Sequence, residues 1–184
     1  MVATTAVRPV TEGADHGGAV AALFESQYAP LCRLALLMLG ERGAAEEVVM
    51  DAFERTLAAW GRIRDHDRAE AYVRRAVVNR CISRSRRRRN EWRSNEAVAA
   101  GAGDAPAGDI DVEERATSLA VLNATLALPP RQRATVVLRY YEDRPEAEIA
   151  TLLGCSPGTV KSQLAKARAT LSRTLASTEQ EGRR

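Results

Sequence analysis

The sequence is poor in aromatic residues, cysteine, histidine and lysine. Only 4% of its 184 residues are aromatic, and 12 glycines and 7 prolines leave long stretches free of chain breakers. Because Ala and Leu side chains lose little rotamer freedom on a helix, this composition favours helices over strands. A hydrophobic content of 45% excludes a wholly disordered chain, and the length suits one domain or two small ones.

The sequence has no apolar run long enough for a membrane span. The run Leu34–Leu39 is about a third of the roughly 20 residues that such a span requires. The segment Met1–Val10 lacks the basic start and the long apolar stretch of a secretory signal. We therefore expect the protein to stay in the cytoplasm.

Cysteine and histidine give little basis for a metal site or a disulfide. Cys32, Cys81 and Cys155 are odd in number, lie far apart and form no CxxC pair. His16 and His66 occur in charged surroundings rather than in a ligand motif. We therefore predict no metal, no disulfide and no cofactor.

Positive and negative charges are segregated along the chain, although the net charge is only +3. Residues 1–61 carry a net charge of −4, and residues 62–93 carry +8. Residues 94–114 then carry −6, and residues 115–184 carry +5. Two basic blocks separated by an acidic segment predict two surfaces that bind a polyanion, and nucleic acid is the leading candidate.

The acidic segment reads as a linker between two lobes. It is a mixture of Gly, Ala and Asp with Pro106 and without a helical apolar stripe. Its acidity could serve only to keep it soluble and extended, or it could mimic nucleic acid. The predicted organisation is a disordered N-terminus (1–17), a first domain (18–93), a linker (94–112), a second domain (113–176) and a polar tail (177–184).

Apolar residues at helical spacing predict the first two helices of the first lobe. Helix one ends at Gly40, which suits a C-terminal cap, and helix two runs from about Ala44 to Trp60. The exposed face of helix two is acidic. It could be a solvated surface or a partner-binding face, whereas acid–base catalysis would need a pocket for which the sequence has no sign. This face carries Glu46, Glu47, Asp51 and Glu54.

A third helix is predicted from about Arg68 into a strongly basic segment. Tyr72 is expected to turn inward with the apolar residues of this helix, whereas Arg74 and Arg75 are expected to point outward. Six arginines between 84 and 93 offer bidentate donors for phosphates, although they could also merely solubilise the end of the helix.

The second lobe contains a helix-turn-helix pattern. Pro145 opens a short helix, Gly154 permits a tight turn, and Ser156 followed by Pro157 is typical of a helix start. Small Ala150 suits the crossing of the two helices. A generic helical bundle with polar exposure is the alternative. The side chains left to point outward from the second helix are Ser156, Thr159, Lys161, Ser162, Gln163 and Lys166, and Gln163 can form a bidentate contact with adenine.

These motifs resemble the extracytoplasmic-function (ECF) sigma factors, which are two-domain bacterial transcription initiation subunits. AAEEVVMDAFERTLAAW is similar to a helix of the family's second region, and AYVRRAVVNRCISRSRRRR to its promoter-melting and minus 10 recognition helix. LPPRQRATVVLRYYED, followed by EIATLLGCSPGTVKSQLAKARATL, resembles the fourth region. The resemblance covers about residues 19–176.

The resemblance implies an all-α protein in which a flexible acidic linker joins two small helical domains. The protein would be an alternative sigma factor that binds core RNA polymerase, at the clamp helices of the largest subunit and the flap region, and directs promoter recognition and melting. It would not be an enzyme, and it would associate with the nucleoid through polymerase. Members of the family are often held inactive by an anti-sigma factor, which is therefore a further candidate partner.

The resemblance also assigns roles to individual side chains. The polymerase-binding residues would be Glu46, Glu47, Asp51, Phe53 and Arg55. The minus 10 DNA-binding residues would be Arg62, Arg64, Arg68, Arg75, Asn79, Arg80, Arg84, Arg86 and Arg87. The minus 35 DNA-binding residues would be Ser156, Thr159, Lys161, Ser162, Gln163 and Lys166.

Some positions depart from the family pattern, and two other functions compete with it. Met50 stands where the family commonly has Gln, and Gln163 where Arg is common, which affects the polymerase contact and the minus 35 sequence that would be read. A stand-alone helix-turn-helix regulator would explain the second lobe and leave the first without a role. A DNA-processing enzyme would need a nucleophile, and Ser83 and Ser85 have no supporting residues around them.

Overall fold

The computed structural model describes residues 12–60, 68–94 and 112–181. These ranges are helical apart from short connections, and no strand occurs in them, which confirms the all-α prediction. The helices are α1 (Glu12–Leu39), α2 (Arg42–Ala59), α3 (Ala69–Ser94), α4 (Val112–Ala127), α5 (Pro130–Tyr140), α6 (Glu146–Leu153) and α7 (Pro157–Glu181).

Helices α1, α2 and α3 form the first lobe, in which each helix packs against the other two. Leu34 of α1, Val49 of α2 and Val77 of α3 are each fully buried in its core. In the second lobe, α7 packs against α4, α5 and α6. Leu138 of α5 and Val160 of α7 are fully buried there. Each lobe is thus built by burying one apolar stripe per helix.

The ends of three helices follow the predicted local signals. Gly40, which ends α1, has φ +74°, and Gly154, which ends α6, has φ +60°. Glycine adopts this left-handed conformation without the steric cost that other residues bear. Ser156 accepts a hydrogen bond at Oγ from the Thr159 backbone N–H at 3.2 Å, and Pro157 is the first residue of α7. The predicted helix-turn-helix signals are therefore confirmed.

The two lobes pack directly against each other. Helix α5 contacts α1 and α3, α6 contacts α3, and α4 contacts α1. Buried residues of both lobes form one continuous hydrophobic cluster, which extends from Leu31 and Val73 to Leu138 and Ile149. The described parts of the two lobes therefore share a core, although residues 95–111 between them lie outside the described residues.

Two predictions for α3 are wrong. Tyr72 is 45% exposed rather than buried, and Arg74 is only 6% exposed although it was expected to face solvent. The buried face of α3 is wider than predicted, because it includes Val78 and Ile82. Arg74 lies one and two helical turns before these residues and therefore shares their face.

Two helices extend beyond the predicted domain limits. Helix α1 begins at Glu12, within the segment 1–17 for which the sequence predicts disorder, whereas residues 1–11 lie outside the described residues. Helix α7 continues to Glu181, within the segment predicted as a polar tail.

We predict that Gly40→Ala destabilises the fold by about 1–2 kcal/mol. The φ of +74° strains any residue with a Cβ, and a Cβ at this position would lie 2.7 Å from Leu126 Cδ1 of the second lobe. Urea denaturation measures the change. Gly43→Ala is the control, because the nearest atom to its added Cβ is 3.9 Å away and it should gain about 0.5–1 kcal/mol. Equal effects of the two substitutions would contradict the prediction.

Candidate nucleic-acid interface

The acidic face of α2 carries most of the predicted polymerase-binding residues. Glu46 pairs with Arg42 of the same helix at 2.9 Å, and the Arg42 side chain is largely exposed whereas that of Glu46 is 43% exposed. Asp51 accepts a hydrogen bond at Oδ1 from Arg55 Nε at 3.2 Å. Glu47 is the most exposed carboxylate of the three, with 67% of its side chain accessible.

Phe53 does not belong to this face. It is only 4% exposed, and its ring makes an edge-to-face contact with Phe24 of α1, with the ring centroids 4.9 Å apart. Helical rotation explains the correction, because Phe53 shares the buried stripe of Val49 and Ala52 rather than the stripe of Glu47 and Asp51. Its role is therefore in the core of the first lobe.

The basic face of α3 carries most of the predicted minus 10 residues. Arg68, Arg75 and Asn79 are exposed, and Arg80 is half-buried. The exposed face continues through the arginine run, in which Arg84, Arg86 and Arg87 are all accessible. Arg62 and Arg64 lie outside the described residues.

Two ion pairs join the acidic face of α2 to the basic face of α3. Arg80 Nη2 pairs with Asp51 Oδ2 in close contact. One turn earlier on α2 and one turn later on α3, Arg84 Nη1 donates a hydrogen bond to Glu47 Oε2 at 2.6 Å. We call these two pairs the α2–α3 ladder. Predicted polymerase-binding carboxylates and predicted DNA-binding arginines are thus partners of each other.

A cluster of buried charges joins the lobes, and the sequence reasoning missed it. Arg74 Nη1 donates a hydrogen bond to Glu142 Oε2 in the loop that follows α5, and the two side chains are only 7% and 9% exposed. Arg74 Nη2 also donates to Glu70 at 2.8 Å and to Gln27 at 3.2 Å. The sequence did contain a sign of the burial of Arg74, because Arg74 lies four residues before Val78 and therefore on the same face of α3.

Arg133 makes a second polar connection between the lobes. Its Nη1 donates to the Met38 carbonyl at 2.6 Å, and its Nη2 donates to the carbonyls of Leu126 and Leu128. These carbonyls lie at the ends of α1 and α4, where helices leave acceptors without intrahelical partners. Burial lowers the pKa of Arg133 to about 10, and the nearby guanidinium groups of Arg89 and Arg88 act in the same direction. Arg133 therefore remains positively charged at neutral pH.

The predicted minus 35 residues lie at the N-terminal end of α7. Lys161, Ser162 and Lys166 are exposed, whereas Gln163 is half-buried. Ser156 caps the helix, and its Oγ lies 3.0 Å from the Thr159 Oγ1. The two lysines therefore present the accessible charge, while the hydroxyl of Ser156 already has a structural role.

The two predicted DNA-binding regions lie close together. A Cβ added to Gly154 in the turn of the helix-turn-helix would lie 3.8 Å from Arg75 Nη2 of the first lobe. The packing of α6 against α3 brings these residues together. The helix-turn-helix thus faces the predicted minus 10 lobe.

Comparison with known proteins identifies the family. The family model described as Sigma-70 region 2 matches residues 23–91, and the model described as Sigma-70, region 4 matches residues 118–171. The RNA polymerase sigma-E factor of Streptomyces avermitilis is 32% identical over 155 residues, which are 83% of each chain. The ECF RNA polymerase sigma factor SigM of Mycobacterium tuberculosis is 34% identical over 158 residues, 83% of this chain and 75% of the relative.

The chain is an ECF sigma factor. It is an alternative sigma factor of RNA polymerase, as the sequence motifs predicted. A stand-alone helix-turn-helix regulator is not favoured, because the first lobe matches region 2 over most of its length.

A solved structure supports the fold of this sigma factor. It shows the sigma factor RpoE in complex with the anti-sigma factor NepR from Bartonella quintana, and it has a TM-score of 0.64 and 21% identity to this chain. The match covers 88% of this chain and 97% of that one. The two-domain helical fold is therefore shared.

Among the described residues of the sigma factor, no group of three or more His, Cys, Asp or Glu side chains is placed to bind a metal ion. Burial raises the pKa of the Cys81 thiol to about 12, so this thiol stays protonated at neutral pH. None of the helices in the described ranges has the length and apolarity needed to span a membrane.

Proposed function

We propose that this sigma factor binds core RNA polymerase, carries it to promoters with minus 10 and minus 35 elements, and helps to melt them. The observation that carries the proposal is the presence of both sigma regions in order, each with a charged exposed helix. RNA polymerase would carry out catalysis, and both proteins would act in the cytoplasm. This chain would contribute binding energy, align polymerase with the promoter and bind an extruded base.

We propose the exposed face of α2 as the polymerase-binding surface. Met50 is 41% exposed and Leu57 is 52% exposed, and they lie on the same helix as Glu47 and Asp51. Exposed apolar side chains among charges are typical of a protein-binding surface. Phe53 is left out of the surface because it is buried.

We propose the exposed face of α3 as the minus 10 surface. Arg75 and Asn79 are exposed, and Tyr72 lies on the same face, because positions i, i+3 and i+7 of a helix are neighbours. An exposed aromatic ring can stack on an unpaired base, and protein contacts to an extruded base offset the few kcal/mol of unstacking. Arg84, Arg86 and Arg87 would hold nearby backbone phosphates.

We propose the N-terminal half of α7 as the minus 35 reader. Lys161 and Lys166 are exposed and suit phosphate contacts, and Gln163 is the candidate for a base edge.

For both promoter elements to be contacted together, the lobes would have to separate. Arg75 lies beside Gly154, whereas elements about 25 base pairs apart are separated by about 85 Å of duplex.

An anti-sigma factor is a proposed regulator of this chain. The proposal is supported by the likeness to a sigma factor that was solved with its anti-sigma factor, although that likeness concerns the fold. An inhibitor of this kind would cover the α2 face and so compete with polymerase.

Run-off transcription tests the proposed function. Purified core RNA polymerase would be assayed on upstream genomic fragments with and without the full chain. We expect transcripts from discrete start sites only when the chain is added. Alignment of those sites would reveal both promoter elements. Failure of the chain to bind core polymerase would contradict the proposal and favour the helix-turn-helix regulator.

A further inference from the structure

The α2–α3 ladder joins residues to which the proposed function gives two different partners. Asp51 and Glu47 are spaced by one turn on α2, and Arg80 and Arg84 are spaced by one turn on α3. Because the two helices pack side by side, each of these carboxylates pairs with one α3 guanidinium, and Asp51 also pairs with Arg55 of its own helix. The ladder therefore uses the same charges that polymerase and DNA would use.

We propose that the α2–α3 ladder masks two DNA-binding arginines until core polymerase engages the carboxylates. This inference rests on the proposed function, because that function assigns Glu47 and Asp51 to polymerase and Arg80 and Arg84 to DNA. While the ladder is intact, the carboxylates neutralise the guanidinium groups and compete with phosphates for the same N–H donors.

Polymerase binding would reverse this competition. Cations of polymerase that pair with Glu47 and Asp51 draw the carboxylates away from α3, and the arginines then offer their full charge to DNA. The coupling is reciprocal by thermodynamic linkage, so DNA bound at Arg80 and Arg84 also favours polymerase binding. No movement of the helices is required, since only side-chain partners change.

The exposure of the ladder suits an exchange of partners. The Asp51 and Arg80 side chains are 35% and 28% exposed, and those of Glu47 and Arg84 are 67% and 41% exposed. Ion pairs at this level of exposure are weak enough to be replaced by a partner that brings several charges. The buried pair of Arg74 and Glu142, in contrast, is too enclosed to exchange in this way.

The test measures binding of the free full-length chain to a short fluorescein-labelled DNA duplex of mixed sequence by anisotropy at several salt concentrations. The variant Glu47→Gln with Asp51→Asn should bind about fivefold tighter, because two exposed pairs are removed. Its log–log salt slope should steepen by about 1.8, since two more phosphate contacts become available.

Two controls separate unmasking from a general change in charge. Glu41→Gln with Glu54→Gln removes the same charge from exposed sites at the start of α2 and near its end, and it should change affinity by less than about twofold. With Arg80→Gln and Arg84→Gln already present, Glu47→Gln with Asp51→Asn should no longer raise the affinity. Circular dichroism would show that each variant keeps its helical fold.

Equal gains from the ladder variant and its charge-matched control would overturn the inference, as would no gain from either. The run-off assay keeps the proposed function separate. Core-dependent transcription by the unsubstituted chain, together with unchanged DNA affinity in the ladder variant, overturns the masking alone. Raised DNA affinity in the ladder variant, when the unsubstituted chain gives no core-dependent transcription, overturns the proposed function and with it the role of polymerase in releasing the arginines.

Discussion

Replacing Arg74 by methionine is expected to lower the free energy of unfolding by about 3 kcal/mol, because it leaves the Glu142 carboxylate buried without its main partner. Both side chains are less than a tenth exposed, and Arg144 Nε lies 3.6 Å from Glu142, a longer ion pair. Breaking one side of a buried pair costs far more than the pair itself contributes, since an uncompensated charge stays in a low-dielectric site. Urea denaturation measures the loss.

A second variant separates this effect from simple loss of packing. Arg74→Met combined with Glu142→Gln removes both charges, and most of the lost stability should return. Arg42→Met is the surface control, because the pair of Arg42 and Glu46 lies at the surface and its loss should hardly change the stability. If Arg74→Met costs no more than Arg42→Met, the buried pair does not hold the lobes together. Small-angle scattering of the folded single variant should show a larger radius of gyration.

Substituting Lys161 and Lys166 by alanine is expected to weaken promoter binding by about tenfold, because each substitution would remove one proposed phosphate contact. The log–log salt slope should become shallower by about 1.8. Affinity would be measured with reconstituted holoenzyme on a promoter identified by run-off transcription.

The matched control for this prediction is Arg131→Ala with Arg173→Ala. It removes the same charge from exposed sites on α5 and on the C-terminal half of α7, outside the predicted minus 35 set. This variant should keep its affinity within about twofold. An unchanged salt slope in the lysine variant would remove both lysines from the DNA interface.

Local signals predicted the helix-turn-helix well. The effects of its three signal residues are confined to neighbouring residues. Gly154 adopts a left-handed backbone conformation, Ser156 caps α7 with its side chain, and Pro157 has a fixed φ. The same holds for Gly40 at the end of α1, which has positive φ. Such signals need no knowledge of the rest of the chain.

The burial of Arg74 and the exposure of Tyr72, in contrast, were predicted wrongly. Arg74 is charged, and a charged residue on a helix is ordinarily assigned to solvent. Its burial depends on Glu142, which is 68 residues away in the sequence. Tyr72 was assigned inward because of its helical spacing with the apolar residues of α3, and yet it is 45% exposed. The spacing of Arg74 to Val78 indicated its face from α3 alone, whereas its partner Glu142 could not be predicted from α3.

The candidate site likewise has features that the sequence predicted and features that it did not. The acidic α2 face and the basic α3 face are visible as composition and spacing, whereas the pairing of Glu47 with Arg84 is not, because it joins residues 37 positions apart. Phe53 was assigned to a surface through the family resemblance, and its ring contact with Phe24 put it in the core. Roles carried over from a family need this check of burial.

The helical fold, the two charged lobes, the helix-turn-helix and the sigma factor family could all be predicted from the sequence, because each depends on composition, period or motifs within a short stretch of chain. Three features became visible in the packing of the helices: the lobes share a core, Arg74 is buried against Glu142, and α2 carboxylates pair with α3 arginines. These contacts depend on helix packing, which sets the distance between residues far apart in the chain and whether water reaches their charges.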